Sequence, residues 1–443
     1  MKRLRSGFTT GACATAAAKG AAFMLRDQQV IGEVEITLPR GERARFALQG
    51  QRVSATEASC FVVKDAGDDP DITNGAEIHA TVSLVQRDSP SPPSNGPHPP
   101  PDLPLEGGGR IISGEGEKHI LISGGIGIGK VTKPGLAVPP GEWAINPVPR
   151  RMITQAILSV FPGPQSPVPV HCLLSIPNGE LLTLKTLNAR LGIIGGLSIL
   201  GTTGIVRPIS AQAWTDTIDA AIDVALACGS KTVVLSTGRT SEMAAQQFFS
   251  SHLHHLTPPP LMGGGQGVGD PSTSLRGRMG SEVAPPPSLT LPRQGGGDVF
   301  TSRCVLEREF DHFPEEAFIM MGDHVGYALR ACARKGVKKV ILAGQFAKLL
   351  KIACGHEQTH VSSSDLDLKH LLTWIENTPH ASHLTPHLSE AITARGVLED
   401  SGIDPILITL VCSRARQCAE SLAPGLELKV LLAGYGGEVL YFA

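Results

Sequence analysis

The sequence predicts two domains of different architecture: an α+β domain over residues 1–210, then an α/β domain over residues 211–443 with a mainly parallel sheet. Up to about residue 210, short alternating apolar runs follow one another with few helical stretches between them, as strands segregated from helices do. Beyond it, apolar strands alternate with amphipathic helical stretches, the pattern of a parallel sheet covered on its faces. At 443 residues the chain is long enough for two cores.

In order, Thr9 or Thr10 caps an opening helix. "GEVEITLP", "ASCFVVKD", "EIHATVSLV", "KHILIS" and "VPVHCLLSIP" read as strands, with a helix near 148–160. A helix near 212–228 then leads into "KTVVLSTG", the helix "TSEMAAQQFF", "AFIMMGD", the helix "VGYALRACARKG", "KKVILAGQ" and the helix "AKLLKIACG". "PILITLV" and "LKVLLAG" are expected to extend the second sheet as strands. Residues 88–118 and 252–298, dominated by Pro, Gly and Ser, cannot bury enough apolar surface to offset chain entropy and read as surface inserts. They echo each other, "PPPDLPLEGGG" against "PPPSLTLPRQGGG".

A net charge of −2 gives no global field toward nucleic acid or an anionic membrane, so an anionic partner must be met by a local patch. The basic start is followed by Thr, Gly, Ala and Lys19, which form no apolar signal segment, and residues 191–206 are too short and glycine-rich to span a membrane. Nine scattered cysteines without a C-x-x-C favour a reduced compartment over disulfides or a thiolate zinc site. The expectation is a cytoplasmic protein.

"GGIGIGK" resembles a phosphate cradle, but Val131 stands where a P-loop needs a hydroxyl, and Pro134 stops a helix from starting on schedule. What survives is a bend at Gly125, Gly127 and Gly129 where a ligand can approach the backbone, with Lys130 and Lys133 beside it. His356–His360 spells H-E-x-x-H, the zinc-protease pattern, yet Gly355 closes the preceding helix and places the motif in a loop. Asp65, Asp68 and Asp69 crowd with Asp71 around Gly67; mutual repulsion would raise the pKa of one and fit it for acid–base work, unless the segment is only an Asx-rich turn. The strand ends Thr237-Gly238, Gly322-Asp323 and Gly344-Gln345 are small enough to admit a nucleoside beyond the sheet. Asn146, Arg150, Arg190, Thr202, Thr203 and Arg207 supply the forks and hydroxyls that a ligand with many carboxylates requires.

Together, "LRSGFTTGACATAAAKGA", "VVKDAGDDPDITNGA", "GGIGIGKVTKPGLAVPPGEWAINPVPRRMI", "TLNARLGIIGGLSILGTTGIVRPIS" and "GQFAKLLKIACGHEQTH" resemble the cobalt-precorrin-5B (C1)-methyltransferase family of anaerobic cobalamin biosynthesis. The resemblance runs from the N-terminus to about residue 365 outside the inserts and implies methyl transfer from S-adenosylmethionine to C1 of a cobalt-containing tetrapyrrole, giving cobalt-precorrin-6A. The cobalt then belongs to the substrate, no metal is expected on the protein, and a homo-oligomer is compatible with the reading. Asp65, Asp68 and Asp69 would steady the sulfonium or take a proton. Gly125, Gly127, Gly129, Thr237, Gly238, Gly322, Asp323 and Gly344 would face the methyl donor. Thr9, Thr10, Lys130, Lys133, Asn146, Arg150, Arg190, Thr202, Thr203, Arg207 and His360 would face the tetrapyrrole. Gln345 and Ala347 depart from the family's Gly-His-Ile-Gly-Lys-Leu, which keeps a corrinoid-binding pathway protein without turnover as the alternative.

Overall fold

In a computed structural model of the chain, residues 4–85, 120–161, 169–251, 313–361, 363–364, 368–385 and 393–443 are described. Both inserts, including the histidines His252, His254 and His255 at the edge of the second, lie outside the described residues.

Thr9 starts the first helix. Its backbone is extended and its hydroxyl accepts from the Ala12 N–H at 3.2 Å, so Thr10–Asp27 begins with one orphan donor satisfied. The helix is almost all Ala, Gly, Cys and Thr, and those short side chains let it lie close on the strands Glu57–Val63 and Glu77–Leu84, with the helix Pro147–Val160 alongside. The first sheet runs Gln49–Val53, Glu57–Val63, Glu77–Leu84, Val170–Ser175, Ile120–Gly124, antiparallel except for its last pair. Its period-two alternation is clean: Ala58, Cys60 and Val62 point inward opposite Val82, Ala80 and Ile78.

The change of architecture falls between the short strand Ile205–Val206 and the helix Ala211–Ala227. The second sheet runs Phe318–Met320, Thr232–Ser236, Lys339–Gln345, Glu427–Ala433, Val439–Phe442. The first four strands are parallel and the last is antiparallel, which makes the sheet mixed. Its strands read as unbroken apolar runs because both faces are covered, with Val340, Leu342, Leu428 and Leu432 packed among Ile218, Leu329 and Leu349.

"PILITLV" is not a strand. It opens the helix Pro405–Leu422, where Pro405 takes the first-turn position that needs no N–H and the Asp404 carboxylate accepts from Ile406 and Leu407 at 2.8 and 3.1 Å. The cap outweighed the β-branched composition. The described residues that carry both sheets belong to one compact unit.

Candidate active site

Three of the sequence motifs meet at the start of the first helix. The pair Gly7–Phe8 bonds antiparallel to Ile205–Val206, and Ser6 bridges to Gly67. The Thr10 hydroxyl donates to the Leu200 carbonyl and accepts from the Leu200 N–H, both at 3.1 Å, while the Thr9 N–H donates to the Gly204 carbonyl at 3.0 Å. Thr9 and Thr10 are buried and engaged by these bonds, so they position the loop that carries Thr202 and Thr203. Thr203 turns back on Ile205, and Thr202 is exposed.

The aspartates are tethered individually. Asp65 receives a two-pronged contact from the Arg5 guanidinium at 2.5 and 2.9 Å, Asp68 accepts from the Arg5 N–H at 2.6 Å, and Asp69 accepts from the Ile209 N–H at 2.9 Å. This corrects the expected repulsion. The hydrogen bonds from Arg5 and from the Gly67 N–H hold the Asp65 carboxyl below the usual carboxylate range, the opposite of a group tuned as a general acid. The fourth member, Asp71, pairs with Lys64, whose side chain is fully buried, and also accepts from Thr73.

The glycine bend is filled by the chain itself. A side chain at Gly127, where φ is +72°, would meet the Ile176 carbonyl oxygen at 1.9 Å, and one at Gly129 would meet Ile193 at 2.5 Å and Gly196 at 2.8 Å. Gly125 packs on Leu173 and Leu174. These glycines admit a close approach, as expected, but by another backbone segment: Gly127 and Ile128 pair with Gly196 and Leu197. Beside them Lys130 lies over the Trp143 ring at 4.8 Å, and Lys133 pairs with Glu316 at 2.7 Å. Arg190 pairs with Glu242. Lys133 and Arg190 therefore bind the protein's own carboxylates across the junction of its two halves.

Asn146 caps Pro147–Val160 with its backbone only, its carbonyl accepting from the Arg150 N–H at 3.0 Å; its own N–H donates to the Ile199 carbonyl at 2.9 Å, and its side chain makes no capping bond. One turn on, Arg150 is half-buried, burial lowers its pKa against the pull of Glu142, and among the described residues it has no ion-pair partner. Pro149 and Leu200 both crowd Gly11, which places this helix start against the Thr10 and Thr202 region. Arg207 is exposed nearby in sequence and is likewise unpaired among the described residues.

The second grouping lies at the carboxyl ends of the parallel strands. The Met321 and Gly322 N–H groups both donate to the Ser236 carbonyl, at 3.0 and 3.3 Å, and Thr237 donates to the Ala343 carbonyl at 3.0 Å, so the three glycine-bearing strand ends form one crest. Asp323 receives Lys348 and the Thr359 hydroxyl; although burial alone would raise its pKa, these two contacts and nearby His360 hold it below the usual range. His360 is exposed. The H-E-x-x-H segment is irregular, as the sequence suggested, because the helix Phe346–Ala353 has ended and Glu357 is taken by Arg330 at 2.6 Å. Among the described residues no group of three or more His, Cys, Asp or Glu is placed to hold a metal ion, and no helix is long and apolar enough to cross a membrane.

The crest also carries open space and unpartnered buried polar atoms. A side chain at Gly238 would meet nothing within 4 Å, and the buried Ser236 hydroxyl and one Glu242 oxygen have no partner among the described residues. Sequence reasoning passed over Arg5, Lys64, Glu242, Lys348 and Thr359. Lys64 stands next to the Asp run, but nothing in a linear sequence marks a lysine as buried.

The model of the CbiD family matches residues 1–208, the part that holds the converging N-terminal motifs. A protein of Geobacter sulfurreducens named cobalt-precorrin-5B C(1)-methyltransferase is 54% identical over 100% of this chain and 99% of its own. One of the same name from Desulfotalea psychrophila is 36% identical over 99% and 98%. A crystal structure of a cobalamin biosynthesis protein from Archaeoglobus fulgidus covers 80% of this chain and 81% of its own at 20% identity, with a TM-score of 0.33, too low to bear on the fold. The chain belongs to the cobalt-precorrin-5B C(1)-methyltransferase family.

Proposed function

We propose that this chain transfers a methyl group from S-adenosylmethionine to ring carbon C1 of cobalt-precorrin-5B, giving cobalt-precorrin-6A in anaerobic cobalamin biosynthesis. The full-length identity of 54% with a relative of that name carries the reading. When bound, the donor supplies an electrophilic methyl on a sulfonium.

The chain's part is positioning, because the substrate carbon is itself the nucleophile. In this reading residues 1–210 form the tetrapyrrole half and residues 211–443 the donor half, a division that supports each ligand with a different chemistry. The carboxylate rim of the tetrapyrrole finds Arg150 and Arg207, which unlike Arg190 make no ion pair among the described residues, with the Asn146 amide, Thr202 and the positive end of the helix Pro147–Val160 beside them. Lys130, partly exposed over Trp143, adds a cation at the same side. The donor takes the crest at Thr237, Gly238, Gly322, Asp323 and Gly344, where open space over Gly238 and the Asp323 carboxylate suit a ribose and its base. Asp65, Asp68 and Asp69 hold the N-terminal segment and the 205–209 loop in place.

Steady-state kinetics tests the division. Arg150→Ala raises the KM for the tetrapyrrole at least tenfold with the donor KM unchanged, whereas equal change in both would refute the assignment of ligands to halves.

A further inference from the structure

The donor crest carries an aromatic ring that the sequence pattern did not single out. Trp214, on the first turn of the helix Ala211–Ala227, remains 42% exposed although it is one of the largest apolar side chains in the protein. It is nonetheless fixed. Its Nε1–H donates to the Met321 carbonyl at 2.9 Å, and its ring edge fills the space beside Gly322, where a Cβ would sit 3.0 Å from the indole. Gly322 has φ +59°, so glycine is favoured there by both backbone and space. His324 stacks toward the ring with centroids 6.3 Å apart and planes at 26°, and is itself held by Gln358 at 2.7 Å.

A Trp whose polar handle is satisfied by backbone, and whose ring is still left in water, is preorganised to stack on a flat ligand. The chain neighbours narrow the choice of ligand. Asp323, one residue past Gly322, spends Oδ1 on Lys348 and Thr359 and keeps Oδ2 without a partner among the described residues, as a ribose diol acceptor would. Gly238, joined to this loop through Ser236, opens on free space.

Building on the proposed methyl transfer, we propose that Trp214 is the stacking platform for the purine of the methyl donor. Base stacking on an aromatic side chain is strong enough that its removal weakens affinity by about ten- to a hundredfold.

The test is calorimetric titration of the full chain with S-adenosylhomocysteine and, separately, with a cobalt corrinoid bearing free carboxylates. Trp214→Ala is expected to weaken S-adenosylhomocysteine by that factor, Trp214→Phe to restore most of it, and corrinoid affinity to stay unchanged. In wild type, but not in Trp214→Phe, adenosine and S-adenosylhomocysteine should both quench indole emission. This second readout decides the matter even if the alanine variant does not fold. Wild-type affinity in folded Trp214→Ala, with no quench assignable to Trp214, overturns the platform and leaves the donor reading standing. Loss of corrinoid affinity alone overturns it in favour of the macrocycle. Failure of the wild type to bind S-adenosylhomocysteine at all removes the donor reading and the platform together.

Discussion

The Arg190 guanidinium donates to the carboxylate of Glu242, which is fully buried, and so fastens a loop of the first half to the first turn of the helix that follows Thr237 and Gly238. Removing the cation would leave a buried charge with nothing to offset it. Arg190→Ala is expected to cost about 3–5 kcal/mol in urea unfolding. Arg190→Met with Glu242→Met should cost much less, because no charge is then stranded. Equal loss in the single and double variants would show that the contact is not an ion pair of consequence.

Two glycines with opposite surroundings give a paired prediction. Gly127→Ala places a methyl 1.9 Å from a carbonyl oxygen at positive φ and should abolish soluble expression. Gly238→Ala has clear space and ordinary φ, so it should fold with an unchanged melting temperature and lose affinity only for S-adenosylhomocysteine. An inactive but donor-binding Gly238→Ala would argue against the crest as donor site.

The Lys64–Asp71 pair predicts an acid limb in stability. Burial alone would raise the Asp71 carboxyl, but hydrogen bonds from Lys64 and Thr73 outweigh it and depress the pKa in the folded state. The stability this contributes is complete above the unfolded carboxyl value of about 3.9 and is lost as pH falls from there through the folded value. Asp71→Asn should flatten the melting-temperature profile below about pH 4. It should also be less stable at neutral pH, since Lys64 then lacks its counter-charge. A variant profile parallel to that of the wild type at every pH would contradict this.

Thiol labelling checks the two cores. Burial pushes the thiols of Cys13, Cys60, Cys172, Cys332 and Cys412 up to about 12, whereas Cys228 is exposed and raised less. Iodoacetamide on native protein at mild alkaline pH should mark Cys228 and spare those five, as read by peptide mass mapping.

Periodicity made both sheets and most of their helices legible, because alternation on one face and unbroken apolar runs on two faces reflect burial directly. It failed at "PILITLV", where Asp404 and Pro405 outside the apolar run decide helix over strand. The site was legible as segments and not as geometry. Arg190 and Lys133 looked like ligand clamps because their partners, Glu242 and Glu316, lie 52 residues and a whole insert away in the chain. The Asp cluster looked like mutual repulsion because Arg5, its neutralising partner, is 60 residues upstream of Asp65. Trp214 carried no motif, and only the fold brings it over Gly322.

The central claim is tested most directly by anaerobic incubation of the purified chain with cobalt-precorrin-5B and methyl-labelled S-adenosylmethionine, followed by mass spectrometry and carbon NMR of the tetrapyrrole. The account predicts one labelled methyl on C1 with an equal amount of S-adenosylhomocysteine. Folded protein that binds both ligands yet transfers no methyl would contradict it, and would identify the chain as a corrinoid-binding member of its family in which Gln345 and Ala347 are the first residues to revert.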